Sequence, residues 1–381
     1  MSSIFSIFTP YELDAALATG YVSRKEDPTG ELRILNYTPA AAYDSVWTNV
    51  TLACRGLIYR AADNEVVARP FPKFFNYGEF SAEPIPPAWV PQPPRVTTKV
   101  DGSLGILYPA WDGYGIATRG SFTSEQALWA TEFWRYNYSH VAVPDGVTPL
   151  FEIIYPKNRI VVNYGDKEGL VLLAVIDKDT GADMPVSEAA WWPGEVVREY
   201  DVTSAEDAIA LGESDAFAAE EGVVLCWPKT HAPSVRLKVK HPEYVRLHRI
   251  VTGVSSKTIW KSLSEGRPLN DLLDNVPDEF NAWVQGQIAE FQTAFDTRVR
   301  GLNHKFLGVL TRHKLWYGWD SDDKQAKKEF SLLIKDDPDK GLLFSLWDAK
   351  QINAAVWASL RPAYSTPFAT DPDLTDPEPG E

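Results

Sequence analysis

The sequence of 381 residues has two cysteines, Cys54 and Cys226, and neither a C-x-x-C pair nor a Cys/His cluster. That excludes a disulfide framework and the usual zinc spacings, and it fits a chain that stays in a reducing cytoplasm. Long apolar runs are missing as well: nothing approaches the roughly 18–20 uninterrupted apolar residues of a membrane helix. The opening MSSIFSIFTPYELDAALATG has no basic segment before its short apolar run, which soon meets Pro10 and acids, so it does not read as a signal peptide. Neither G-x-x-x-x-G-K-[ST] nor G-x-G-x-x-G occurs, which argues against P-loop and Rossmann phosphate sites. Positive charge is in short supply, the formal net charge being -15. A broad polyanion-binding surface is therefore not expected, because nonspecific nucleic-acid affinity comes from lysines and arginines that neutralise phosphates. The shortage is greatest from Pro362 onward, where PAYSTPFATDPDLTDPEPGE has no Lys or Arg and is rich in Pro, Asp and Glu. This segment, 362–381, is expected to be disordered. Charge is uneven over the rest, which leaves room for a local basic cleft.

What is present divides the chain in two. Single cores stop growing at roughly 250–300 residues, so two domains are expected. From about 50 to 240 the pattern is strand-rich: TLACRGLIYR, NEVVARPF, RVTTKV, SLGILYPAW, GYGIATRG, PLFEIIY, NRIVVNY, GLVLLAVID, EGVVLCW and SVRLKVK. Short β-branched and aromatic runs between Gly, Asp, Asn and Pro turns predict antiparallel sheets. In TSEQALWATEFWRYNY, Thr123 and Gln126 suit a capping box, and Ala130, Phe133 and Trp134 share a helical face. The Pro-rich EPIPPAWVPQPPR, Glu83 to Arg95, reads as a stiff extended loop. Beyond Lys240 the texture changes. Phe280, Trp283, Val284, Ile288, Phe291, Phe295, Val299 and Leu302 recur at steps of three and four, which predicts a long amphipathic helix. DDKQAKKEFSLLIK and LLFSLWDAKQINAAVWASL predict further helices, so the fold class is α+β: an antiparallel-sheet domain over 1–249 and an all-α domain over 250–361. The sequence leaves the oligomeric state open.

The segment TTKVDGSLGILY, residues 97–108, reads as a hairpin whose first strand carries Lys99 just before an Asp101-Gly102-Ser103 turn. Gly102 is expected to take a positive φ and let backbone approach a ligand. A strand lysine is ordinarily solvated and unreactive; it becomes a nucleophile when desolvation or neighbouring cations favour its neutral form. LKVK supplies two such cations, Lys238 and Lys240, on one strand face. Glu152 sits inside the apolar run LFEIIYP, and Glu221 leads through Gly222 into another strand. Buried carboxylates are rare unless paired, hydrogen-bonded or metal-bound. For each acid alone, local pairing is the simpler reading. Two such acids beside three such lysines tip the balance toward a phosphate site assisted by Mg²⁺, whose preference is for oxygen ligands.

In order along the chain, KVDGS at Lys99, FEIIYP at Glu152, EEGVV at Glu221 and LKVK at Lys238 and Lys240 resemble the motifs of covalent nucleotidyltransferases. CRGLIY, RPFPKFFN, RGSFTSEQAL, NRIV and HPEYVRLH narrow the resemblance to bacteriophage ATP-dependent RNA ligases of the tRNA-repair type, the RNA ligase 1 family, over about residues 50 to 250. The resemblance implies an adenylyltransferase domain in which Lys99 attacks the α-phosphorus of ATP to form a lysine-AMP adduct. It implies that Lys238 and Lys240 stabilise the phosphate charge and that Glu221 and Glu152 serve the metal. It places Thr98, Gly102 and Arg119 around the nucleotide, Arg119 standing where the family has lysine; it sets Arg55 and Lys73 on the outgoing β- and γ-phosphates with Phe75 nearby, and makes Tyr244 a further phosphate contact. The implied partner is RNA with 5′-phosphate and 3′-hydroxyl ends, a nicked tRNA among the candidates. A DNA ligase or capping enzyme would carry an OB-fold after LKVK, and a non-catalytic RNA-binding or virion-assembly factor would not need Lys99. Around LNHKFLGVLTRHK, Lys305, Arg312 and Lys314 read either as RNA contacts or as a solvated helix face.

Overall fold

The computed structural model describes residues 2–79, 93–186, 189–269, 278–320, 323–363 and 365. Most of the Pro-rich segment and nearly all of the acidic tail lie outside the described residues. The chain forms two compact units, one ending at Arg249 and one running from Ile250 to Pro367.

The first unit is built on three sheets. One is the antiparallel order β1-β2-β3-β4, from β1 (Val22–Glu26), β2 (Leu32–Tyr37), β3 (Arg55–Arg60) and β4 (Val66–Ala68). A third sheet, described below, draws on β5 (Phe75–Asn76) and β6 (Arg95–Thr98). The second has the order β11-β10-β9-β7-β8, from β7 (Ser103–Ala110), β8 (Gly113–Ala117), β9 (Val147–Ile154), β10 (Gly169–Asp177) and β11 (Asp183–Met184). The third has the order β12-β6-β13-β14-β5, completed by β12 (Glu199–Tyr200), β13 (Gly222–Trp227) and β14 (Val235–Lys240). All pairings are antiparallel except β14 with β5.

Each sheet buries an apolar face because its side chains alternate. Ile34, Ile58 and Ala68 of the first sheet share a core with Ile106, Leu150 and Ile176 of the second. Helices α1 (Pro10–Ala18), α2 (Pro39–Tyr43) and α3 (Asn49–Ala53) accompany the first sheet, with Leu13 and Val50 packed on Leu35 and Leu57. The second sheet is backed by α4 (Glu125–Tyr138), whose Trp134 stacks on Trp192 at 5.7 Å beside Phe151. The third is backed by α5 (Ala205–Gly212) through Ala205 and Ala208 on Val96, Val223, Leu225, Leu237 and Val239.

Four sequence-based expectations change. The segment 97–108 is not a hairpin: β6 belongs to the third sheet and β7 to the second, so Lys99 to Gly102 cross between sheets. The crossing is set by Asp101, whose N–H donates to the Tyr164 hydroxyl and whose carboxylate takes the N–H groups of Val161 and Val162. That also explains why NRIVVNY forms no strand: two of its ladder donors are spent on Asp101. Gly102 does not have a positive φ; it is required by crowding, since an added Cβ would lie 2.6 Å from the Ile153 carbonyl oxygen and 3.1 Å from Glu152 Cγ. The α4 cap is Ser124 rather than Thr123, because the Thr123 N–H donates to Ser121 Oγ while Ser124 Oγ accepts from Ala127.

After β14 the chain enters α6 (Pro242–Gly253), and the second unit continues with α7 (Ser256–Ser264), α8 (Asp278–Arg312), α9 (Trp316–Asp320), α10 (Lys324–Leu333), α11 (Lys340–Trp347) and α12 (Asn353–Ser359). Phe280, Val284, Phe291 and Leu302 of α8 are buried, as the apolar spacing predicts. Phe306 and Leu310 pack with Phe330, Leu343 and Trp347. The last predicted helix breaks in two near Ala349, which has φ 55°. Lys305, a candidate RNA contact, is engaged inside the unit by Asp337 at 2.6 Å and Asp339 at 3.3 Å.

Gly222 opens β13 at φ +138°, and an added Cβ would stand 2.0 Å from the Val239 carbonyl oxygen. Strained backbone together with this collision predicts that Gly222→Ala costs about 2 kcal/mol or more. A urea midpoint equal to that of the parent protein would contradict this.

Candidate active site

A cleft lies between the faces of the second and third sheets that the helices leave uncovered. Its floor follows from strand alternation. Along β6, β13 and β14, Val96, Val223, Leu225, Leu237 and Val239 point to α5, so the residues between them point the other way. Those residues, Arg95, Thr97, Val224, Cys226, Arg236, Lys238 and Lys240, line the cleft. Strand register arranges them in rungs. Cys226 pairs with Arg95 and Arg236; Val224 pairs with Thr97 and Lys238; Gly222 pairs with Lys240 and accepts the Lys99 N–H. Successive rungs are two residues apart, roughly 6.6–6.8 Å along the strands. Leu104, Glu152, Leu173 and Ala174 of the second sheet also line the cleft.

The end rung gathers the expected chemistry. Lys99 Nζ lies 2.5 Å from Glu221 Oε2, and Lys240 Nζ lies 3.7 Å from Glu221 Oε1. The Glu221 side chain is only 4% exposed, so its two cations compensate a charge that would otherwise be costly to bury. Lys238 is buried with its Nζ 5.0 Å from the Phe74 ring centroid, and Lys240 Nζ stands 5.6 Å from that of Tyr244. Burial pushes the Glu152 carboxyl up to about 8; the charges of Glu221 and Asp101 add to this, while Lys99 and Arg55 oppose it. Burial likewise pushes Asp101 up to about 6, assisted by Glu221 and opposed by its hydrogen bonds.

Among the described residues, no three Asp, Glu, His or Cys side chains gather into a metal cage. Glu152 and Glu221 nonetheless share the cleft, and after burial the charge of Glu221 is one of the causes that hold the Glu152 carboxyl up. Two oxygen donors of like charge, with space for phosphate oxygens and water, suit a hard divalent cation.

The structure brings most of the predicted residues to this cleft. Arg55 lines it with its guanidinium 5.1 Å from the Phe71 centroid and 5.6 Å from that of Phe74. Arg119 lines it too, and its Nη1 donates to the Tyr37 hydroxyl at 2.8 Å. Thr98 and Gly102 border Lys99 in the cleft, the Thr98 hydroxyl lying 3.1 Å from that of Tyr200. Tyr244, expected as a phosphate contact, is buried and donates its hydroxyl to Asp101 Oδ1 at 2.7 Å. Lys73 and Phe75 are not among the lining residues. Lys73 Nζ instead lies amid the rings of Tyr37, Trp47 and Phe75, at 5.7, 5.4 and 5.4 Å from their centroids. Sequence reasoning missed Arg95 and Arg236, although the same two-residue period reaches Arg236 one step before Lys238 and Arg95 two steps before Lys99. It gave Asp101 no role, and no local pattern distinguishes Phe71 and Phe74 as cleft residues.

The raised Glu152 carboxyl has a stability consequence. Its value in the fold, about 8, exceeds its ordinary 4.5, so the folded state binds the proton more tightly. Stability of the ligand-free protein should therefore fall as pH rises from about 4.5 to about 8. Glu152→Gln is expected to flatten that fall and melt several degrees above the parent at about pH 9. Parallel melting curves for the two proteins across this range would contradict the assignment.

Known proteins resemble the chain over the segment that builds this cleft. A family model described as RNA ligase matches residues 53–244. The chain is 23% identical over 389 residues to an RNA ligase of Rhodothermus phage RM378, with 84% of this chain and 86% of that protein covered. Among solved structures, an archaeal ATP-dependent RNA ligase gives a TM-score of 0.42 at 17% identity, covering 74% of this chain and 76% of that one. A mutant Naegleria gruberi RNA ligase with ATP and Mn gives 0.32 at 17% identity, covering 41% and 51%. The segment matched by the family model runs from just before β3 to just after β14 and contains the whole floor of the cleft, and with it the chain belongs to the RNA ligase family.

Proposed function

We propose that this protein is an ATP-dependent RNA ligase that joins 5′-phosphate and 3′-hydroxyl RNA ends through AMP carried on Lys99. The observation that carries the reading is a lysine amine 2.5 Å from a buried glutamate, at the end of a strand row that continues through Lys240 and Lys238. Glu221 Oε2 is the adjacent acceptor for the proton that Lys99 must lose before it attacks. The amine then forms an N–P bond to the α-phosphorus of ATP, the bond to the bridging oxygen breaks, and pyrophosphate leaves. An oxygen of an RNA 5′-phosphate next takes the adenylate, breaking the N–P bond and returning the amine. Attack by a 3′-hydroxyl on the activated 5′-phosphate releases AMP and closes the strand.

Lys238 and Lys240 face the position where charge develops on the transferring phosphate, the arrangement that supplies most of the stabilisation in such transfers. Glu152 and Glu221 are the residues that would hold a divalent ion, Mg²⁺ in this reading, and it would neutralise phosphate charge. Membership in the RNA ligase family and the relationship to a phage RNA ligase support RNA as substrate. A role in tRNA repair, with the helical unit 250–361 selecting the RNA, completes the proposal. No helix among the described residues is long and apolar enough to cross a membrane. A non-catalytic RNA-binding protein would need a basic groove and aromatics but no lysine poised on a buried acid.

Mass spectrometry after incubation with ATP and Mg²⁺ should detect one added AMP, absent in Lys99→Ala. Wild-type protein first stripped of bound AMP with pyrophosphate and still unmodified would refute the mechanism. Lys238→Ala should slow adduct formation by roughly 10²-fold. Offered 5′-phosphorylated single strands, the enzyme should circularise RNA in preference to DNA, and the reverse preference would refute the substrate.

A further inference from the structure

The cation row on β14 continues one rung beyond Lys238, to Arg236. This guanidinium is nearly buried, with 5% of the side chain exposed, yet it lines the cleft. Its Nη2 pairs with Asp183 Oδ1, and its centre lies 4.8 Å from the Phe71 centroid, on the ring that Arg55 also approaches at 5.1 Å. Its Nη1 is buried and has no hydrogen-bond partner among the described residues. A buried donor left unsatisfied on a charged group is costly, so a place in the fold that keeps one is a place where an incoming acceptor gains.

The chemistry of that acceptor is constrained. Guanidinium offers only donors and stays charged, and its planar fork matches the oxygens of a phosphate. Asp183 does not neutralise this end of the cleft alone, because its Oδ1 also lies 3.8 Å from Arg95, which in turn reaches toward Glu199 at 3.6 Å. Arg236 stands two rungs from Lys240, roughly 13 Å along the strand. Lys240 is held at Glu221 and Arg236 at Asp183, so the two cations are anchored by different acids at opposite ends of the row. We propose that Arg236 is a further phosphate-binding residue of the cleft, adding its unsatisfied donor to the phosphate subsite that Arg55 approaches at the same Phe71 ring, for a phosphate group other than the one transferred. Two sources offer that chemistry, the outer phosphates of ATP and the 5′-phosphate of an RNA end. The choice between them rests on the proposed ligase function; binding of a phosphate does not.

The test uses the full chain, with inorganic pyrophosphate as the first probe. Wild type is compared with Arg236→Met, with Arg236→Lys, and with Arg236→Met/Asp183→Asn, which removes the acid that the single change would strand. Pyrophosphate should raise the melting temperature of wild type, and its dissociation constant should rise about tenfold or more in both methionine variants, with partial recovery in Arg236→Lys. If the KM for ATP in adduct formation rises in parallel, the subsite takes the outer phosphates. If instead only the RNA concentration needed for AMP transfer from preformed adduct rises, it takes the RNA 5′-phosphate. If the folded double variant leaves pyrophosphate, ATP and RNA dependence unchanged, the subsite is overturned and Arg236 is only the partner of Asp183. A wild type that forms no AMP adduct would overturn the ligase reading, and the pyrophosphate titration would then decide the subsite by itself.

Discussion

The geometry of the cleft depends on one buried carboxylate. Asp101 Oδ2 accepts the N–H groups of Val161 and Val162 at 2.9 and 2.8 Å, and Oδ1 accepts the Tyr244 hydroxyl at 2.7 Å. One side chain therefore ties the sheet-crossing segment to the chain that follows β9 and to the residues that follow β14. Hydrogen bonds to an ionised acceptor are roughly twice as strong as neutral ones, which is what makes a buried carboxylate usable as a clamp. Burial still outweighs them, since the group titrates above its ordinary value. Lys99 lies two residues before this clamp and one after β6, where its N–H still pairs with Gly222. Its amine is thus delivered from a backbone fixed on both sides.

The same cleft reconciles a strongly acidic chain with a polyanionic substrate. Net charge describes the far field, while recognition of a phosphate happens within hydrogen-bonding distance. Here cations are concentrated on one face of one sheet, with Arg95, Arg236, Lys238 and Lys240 in rungs and Arg55 and Arg119 in the surrounding wall. Buried acids are interleaved where they are needed: Glu221 between two lysines, and Asp183 between two arginines. Aromatic faces of Phe71, Phe74 and Tyr244 cover the cations' flanks without competing for their donors.

Much of this was legible in the sequence, and for identifiable reasons. Period-two runs gave away the strands, a three-and-four-residue stripe gave away the long helix, and motif order assembled Lys99, Glu152, Glu221, Lys238 and Lys240 before any coordinates. What was not legible is long-range. Whether two strands joined by a short turn pair with each other depends on partners far along the chain, so the apparent hairpin at 97–108 is a passage between sheets. NRIVVNY has every local mark of a strand, but its donors are claimed by a residue some sixty positions earlier. Tyr244 could be placed near the site by its motif, yet its hydroxyl partner is 143 positions away. Lys73 and Phe75, which a short motif sets near a nucleotide, meet in an aromatic cluster with Tyr37 and Trp47 that their motif does not reveal.

The third sheet has two faces written in a single reading frame. In VRLKVK the odd positions build the hydrophobic seam against α5, and the even positions build the electrostatic floor of the cleft. Hydrophobic burial and the charge of the cleft are therefore not separately adjustable along β14. A shift of one residue in its pairing would press three cations into the seam and turn three aliphatic side chains toward the phosphate, forfeiting fold and chemistry in the same event. The pressure that keeps this strand in register for stability thus also proofreads the position of each charge it sets in the cleft.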